Sequence, residues 1–171
     1  MKNFLYIVLL FVGPAAFAQK TALSTNAASW ADGLTLNVDA HYAMARHWTV
    51  NAGVRYNPYS PASKQRAVSL GARYWPWYSY SGWWMGASAK CQEYSRTLSK
   101  TAEGDRYGGT FALGYSRMLG VHVNLDVGMG VFGGYENFAL YRCPDCGRLL
   151  ESGARYFILP DELIFALTYV F

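Results

Sequence analysis

Between Val121 and Val131 every second residue is apolar: Val121, Val123, Leu125, Val127, Met129 and Val131 alternate with His122, Asn124, Asp126, Gly128 and Gly130. Successive side chains of a strand point to opposite sheet faces, so this run has one apolar face and one small or polar face. A helix would scatter both sets around its circumference. The same period recurs in Leu34, Leu36, Val38, Ala40 and Tyr42 opposite Thr35, Asn37, Asp39 and His41. It recurs again in residues 50–57 and 68–74. Eight strand candidates emerge: Thr21–Ala31, Gly33–Met44, Trp48–Asn57, Arg66–Trp75, Gly82–Tyr94, Tyr107–Met118, Val121–Phe138 and Glu162–Phe171.

A soluble β-sandwich also alternates, but its outward face is charged. Here the polar parity is mostly Gly, Ser and Asn, and charged residues are only 15% of the chain against a usual ~25%. Aromatics reach 17%. Past residue 18 no apolar run approaches the roughly 20 residues of a membrane helix. A chain rich in interface residues that crosses lipid without helices must close its strands into a barrel. The expected fold is therefore all-β, an eight-stranded antiparallel up-and-down transmembrane β-barrel over residues 19–171.

Both ends of the sequence fit export to a bacterial outer membrane. Lys2, the apolar stretch Phe4–Val12 and Ala16-Phe17-Ala18 read as a signal peptide over residues 1–18. Leu163, Phe165, Leu167, Tyr169 and Phe171 share one strand face. A strand ending in this way resembles the one by which the β-barrel assembly machinery recognises its clients. The formal charge of +4 is small and its basic residues are scattered, which excludes a nucleic-acid stripe.

With both termini on the periplasmic side, the connections Ala45–His47, Pro76–Ser81 and Leu119–Gly120 are periplasmic turns. Residues 58–65, 95–106 and 139–161 are the long outer loops, and the short link 31–33 breaks the pattern. Trp48, Trp75, Trp77, Tyr78, Trp83, Tyr169 and Phe171 are expected at the periplasmic rim. Tyr56, Tyr59, Tyr94, Tyr107, Tyr135, Phe138 and Tyr156 are expected at the outer rim, forming two aromatic girdles.

The inward parity collects Asp39, His41, Arg55, Arg73, Lys90, His122 and Asp126, with Glu136. An eight-stranded barrel is filled by side chains, and buried charges must pair. The expectation is a salt-bridged interior in which Arg55 and Arg73 hold Asp39 and Asp126. The functional alternative is a gated proton or ion path.

For catalysis, Asp39 with His41 and His122 with Asp126 share faces, but neither pair has a Ser or Thr nucleophile placed beside it by the sequence. His47 reads as an interfacial turn residue. No catalytic residue, cofactor or metal is expected. Cys143 and Cys146 fall in the longest outer loop, where an exported protein forms a disulfide by default. Two thiolates fall short of a structural zinc site, and no βαβ context supports a redox motif. Cys91, on a strand, reads as a small lipid-facing hydrophobe.

Thr25-Asn26, Asn37, Asp39, Arg73-Tyr74-Trp75, Gly82 to Gly86 around Trp84, and Cys143-Pro144-Asp145-Cys146-Gly147 together resemble an uncharacterised family of small outer-membrane barrels of unknown function. Asp39 stands where that family often carries Glu, and Ser24 where Lys is common. The resemblance implies the barrel fold and an association with fimbrial or surface-assembly components. The expected function is a non-enzymatic outer-membrane barrel in contact with lipid, with loops 60–66, 97–105 and 143–157 meeting a surface protein or glycan. The alternatives are an accessory subunit of a larger transport or fimbrial assembly, and a barrel enzyme acting on lipid or surface peptide.

Overall fold

The structure, a computed structural model, describes residues 20–31, 34–58, 64–97, 101–142 and 148–171. The signal peptide, Tyr59 and the Cys143–Cys146 pair lie outside the described residues. Eight strands form a closed antiparallel barrel in chain order: β1 (Thr21–Asn26), β2 (Leu36–Ala45), β3 (Trp48–Asn57), β4 (Lys64–Tyr74), β5 (Gly82–Thr97), β6 (Thr101–Met118), β7 (Val123–Tyr141) and β8 (Leu149–Val170). β8 returns to β1 through the register Ala22↔Val170 to Asn26↔Ala166. One short helix, α1 (Ala27–Ala31), follows β1. The described residues contain no helix long and apolar enough to cross a membrane.

The turns after β2, β4 and β6, together with Phe171, mark the lower end. The longer connections mark the upper end. At the lower end the segment 75–81 folds beneath the barrel and closes it. Tyr80 adopts a left-handed φ of 65° there, with its side chain buried against Trp75. Its carbonyl accepts hydrogen bonds from Asn124 Nδ2 (2.6 Å) and Ser116 Oγ (3.3 Å), and its hydroxyl donates to the Lys20 carbonyl. Trp75, Tyr80 and Trp84 form an apolar cluster with Ala22, Ile164, Ala166 and Val170. Gly114 makes room for it, because a Cβ at that position would strike the Trp84 ring.

The outer wall changes character along one register row of β4 to β7. Val68, Cys91, Tyr107, Tyr135 and Tyr156 are successive register mates, all outward and exposed. Two residues further up each strand the mates are Arg66, Glu93, Asp105, Asn137 and Ala154. Below this row the wall is apolar, carrying Val54, Leu70, Phe111, Leu113, Val127 and Phe165 among others. Trp48, Trp83, Tyr115, Tyr169 and Phe171 lie exposed at its lower margin.

Three expectations need correction. The polar stretches 95–106 and 139–161 are largely strand: β5–β6 and β7–β8 continue as paired hairpins above the apolar wall. Their outward residues are polar and their inward ones are polar or charged, so pairing persists without an apolar alternation, through contacts such as Ser95 Oγ to Glu103 Oε1 (3.2 Å). Trp75, Tyr94 and Phe138 are not girdle residues; Trp75 is buried, and Tyr94 and Phe138 face inward to contact Glu136 and Arg155. The first strand ends at Asn26 instead of Ala31. Asn26 Oδ1 accepts the Ala28 N–H (3.1 Å), capping a helix that Ala27 and Ala28 favour.

That early end leaves β1 with 6 residues beside a β8 of 22. Two amide side chains carry the ladder past the end of β1. Asn37 Oδ1 accepts the Asn26 N–H (2.5 Å), and Asn37 Nδ2 donates to the Asn26 carbonyl (2.9 Å). On the other edge, Asn26 Oδ1 accepts the Phe165 N–H (2.9 Å) and Asn26 Nδ2 donates to the Leu163 carbonyl (3.0 Å). Asn26 is buried, so none of these partners has water as a ready substitute. Asn26→Leu, which keeps the bulk and removes the amide, should lower stability by about 2 kcal/mol, since it strands buried backbone groups at the seam. Urea denaturation of the folded barrel measures it.

Candidate functional site

The lumen is the place where this sequence concentrates charge, and the barrel stacks that charge in layers. Alternation turns the even residues of β1 and β5–β7 and the odd residues of β2–β4 inward; on β8 the even residues face inward from 164 to 170, and above the bulge between Glu162 and Pro160 the odd residues 153–159 do.

In the lower layer Arg73 lies 4.2 Å from the centre of the Trp84 ring, and its Nη1 reaches Asp126 Oδ2 at 3.4 Å. The same oxygen accepts a 2.9 Å hydrogen bond from Thr168 Oγ1. Asp39 faces the positive charges of Arg55, Arg73 and Lys90 around a small void of about 50 Å³. Gly53, its register mate, admits the carboxylate, since a Cβ there would collide with Asp39 Oδ1. Lys90 is buried and places its ammonium 4.8 Å from the Phe132 ring centre. His41 Nε2 lies 2.8 Å from Ser24 Oγ.

Phe132, fully buried, forms the next layer and packs edge-on against Phe157. Above it, Glu136 joins four strands. Its Oε1 accepts from Tyr94 OH (2.6 Å) and from Arg106 Nε (2.8 Å) and Nη2 (2.7 Å); its Oε2 accepts from Arg155 Nε (2.8 Å). The Tyr94 ring lies 4.0 Å from the Arg106 guanidinium. One carboxylate thus satisfies two guanidiniums and a phenol, and it leaves one positive charge in excess.

Of the residues singled out by parity, Asp39, His41, Arg55, Arg73, Lys90 and Asp126 come together in the lumen. His122 does not join them. It is exposed at the lower rim, stacked on Tyr169, with Nδ1 2.9 Å from the Val170 carbonyl. The regular strand β7 begins only at Val123, so the alternation that points its residues inward does not reach His122. Cys91 is exposed on the outer wall.

The sequence concealed two constellations. Arg106 and Arg155 sat in stretches read as loops, and the β8 bulge changes the parity of residue 155 relative to 163–171. Ser24 reaches His41 because β1 and β2 pair Ala22 with His41 and Ser24 with Asp39, a register that single-strand patterns do not reveal. Ser24 and His41 have the contact a nucleophile and base require, but both are buried, and the space that Ser24 borders is a void of about 50 Å³. That space takes ordered water and excludes an acyl or peptide substrate. The described residues hold no group of three or more His, Cys, Asp or Glu arranged for a metal.

Glu136→Gln should destabilise the barrel by about 2–3 kcal/mol, since it leaves Arg106 and Arg155 without their shared counter-charge. Asp105→Asn, on the solvent face one residue away from Arg106, should change stability by under ~0.5 kcal/mol. Paired thermal melts of the two variants check the contrast.

A search of curated proteins and a search of solved structures each returned no match. A family model does match, over residues 4–171, and so the chain belongs to the family described as "Protein of unknown function (DUF3575)".

Proposed function

We propose that this protein is a small non-enzymatic barrel of the bacterial outer membrane whose upper hairpins contact a surface protein or glycan. The observation that carries the reading is an extensive exposed apolar wall that gives way to polar residues on adjacent strands. Val68, Cys91, Tyr107 and Tyr135 give way to Arg66, Glu93, Asp105 and Asn137 on four adjacent strands. A bilayer imposes such an end to the apolar wall, because each tilted strand passes from hydrocarbon to polar surroundings. A soluble barrel has no reason to leave so much apolar wall exposed. The exposed lower aromatics suit the opposite interface.

In this reading residues 1–18 direct export, the strand ending at Phe171 is read by the assembly machinery, and the lower end faces the periplasm. The closed lower plug and filled lumen support a structural interior rather than a conducting one. The closed-in Ser24–His41 pair supports the absence of catalysis. The hairpins above the charged row, with the loops at their tips, supply the contact surface.

The test is heat-modifiable gel migration of outer-membrane fractions together with thiol labelling. The protein should migrate differently before and after boiling. With Cys143 and Cys146 replaced by Ser, Cys91 should resist a membrane-impermeant maleimide in intact cells, whereas a Cys91→Ser, Asp105→Cys variant should label. Equal labelling of both, with no heat-dependent shift, would identify a soluble barrel. Separately, Ser24→Ala and His41→Ala should leave the membrane lipid profile unchanged.

A further inference from the structure

Charge is divided unevenly between the two ends of the barrel. The exposed acidic residues Glu93, Glu103, Asp105 and Glu151 all lie on the upper parts of β5, β6 and β8, where Lys64, Arg66 and Arg96 mix with them. At the lower end Arg46 and Arg117 are exposed, and no described acidic residue is exposed beside them. The sequence ahead of β1, residues 1–19, contains no Asp or Glu. The connections that hold Asp32 and Asp145 run between the upper ends of their strands. Asp161 and Glu162 belong to the stretch of β8 that pairs with Gly130 and Val131, well above the row of Leu125 and Leu167.

The two arginines sit four strands apart, in or next to the β2–β3 and β6–β7 turns, and so on opposite sides of the rim. Arg46 lies 4.2 Å from the centre of the Tyr78 ring and donates through Nη2 to the Tyr78 hydroxyl (2.6 Å). Arg117 continues the outward face of Phe111, Leu113 and Tyr115 on β6. Its register mate is Leu125, whose own mate across β8 is Leu167. Above it the Tyr115 ring packs edge-on against Trp83 at 5.4 Å, and beyond it Leu119 and Val121 are exposed. Aromatic rings and a phenol hydroxyl orient a guanidinium without neutralising it. A charge on a lipid-facing wall is tolerated at the interface, where a long side chain reaches the headgroups.

We propose that Arg46 and Arg117 make the lower rim selective for anionic phospholipids, each guanidinium pairing with the uncompensated phosphate of one headgroup. The inference rests on the membrane reading above and adds the chemistry of the lipid that the lower rim meets. Arg117 stands in the wall itself, with leucines in its row, so whatever covers the apolar wall also covers Arg117. A lipid supplies both the hydrocarbon for that wall and the phosphate for that charge; an acidic protein segment supplies only the second.

Electron spin resonance of nitroxide-labelled lipids tests it, with the purified protein reconstituted in phosphatidylcholine bilayers at low salt. Labelled phosphatidylglycerol should associate with the barrel about threefold more strongly than labelled phosphatidylcholine, since each basic residue near an anionic surface adds a few-fold preference. The preference should shrink as salt is raised. Arg46→Gln with Arg117→Gln should bring the ratio close to one while the barrel stays heat-modifiable. Lys64→Gln with Arg66→Gln, whose neighbours include carboxylates, should keep most of the preference. A ratio near one for the unaltered barrel, or a preference that survives the lower pair of substitutions, would overturn the rim assignment alone. So would a preference lost only with the upper pair. A complete lack of motionally restricted lipid around the protein would overturn the membrane reading beneath it.

Discussion

Closing a sheet on itself requires the first strand to satisfy two neighbours at once, and here the first strand is the shortest. β1 supplies 6 residues between β2 and a β8 of 22. In the dry interior of a wall, each unpaired backbone group costs several times a typical net hydrogen bond. The amides of Asn26 and Asn37 meet that constraint by acting as extra ladder rungs on either side of the strand end. Asn26 also caps the helix that takes over from the strand. The seam is therefore held by side chains just where backbone pairing runs out, and α1 takes the place beside β8 that the short β1 leaves.

The lumen obeys a related constraint. With its lower end closed by Trp75, Tyr80 and Trp84, the charges above have little water to rely on, and each is placed against an opposite charge or an aromatic face. Arg73 uses both Asp126 and Trp84; Glu136 holds Arg106 and Arg155 together. Arg55 lines both the small lower void and the larger upper cavity, facing Asp39 from between them.

Period-two alternation was enough to anticipate eight strands, their antiparallel order and the inward side of Asp39, His41, Arg55, Arg73, Lys90 and Asp126. Those residues sit between apolar neighbours that fix which face is outer. Where the outward face is polar and the inward face carries paired charges the apolar pattern vanishes, and so the hairpin extensions holding Arg106 and Arg155 looked like loops. Register was also hidden: nothing in the β1 sequence alone places Ser24 beside His41. The stop at Asn26 had a local signal, an Asn followed by Ala-Ala-Ser, but the strand period running through it was the stronger pattern. His122 continued the alternation of β7 by one residue beyond the strand that enforces it.

The central claim is a barrel closed in a membrane by its first and last strands. Leu23 and Tyr169 are register mates across that closure, both exposed on the outer wall. Leu23→Cys with Tyr169→Cys, in a background with the native cysteines replaced by Ser, tests it by oxidation in isolated outer membranes. The account predicts an intramolecular crosslink within single chains that keeps the boiled protein compact on a denaturing gel. Failure to crosslink, or crosslinks formed only between chains, would contradict it.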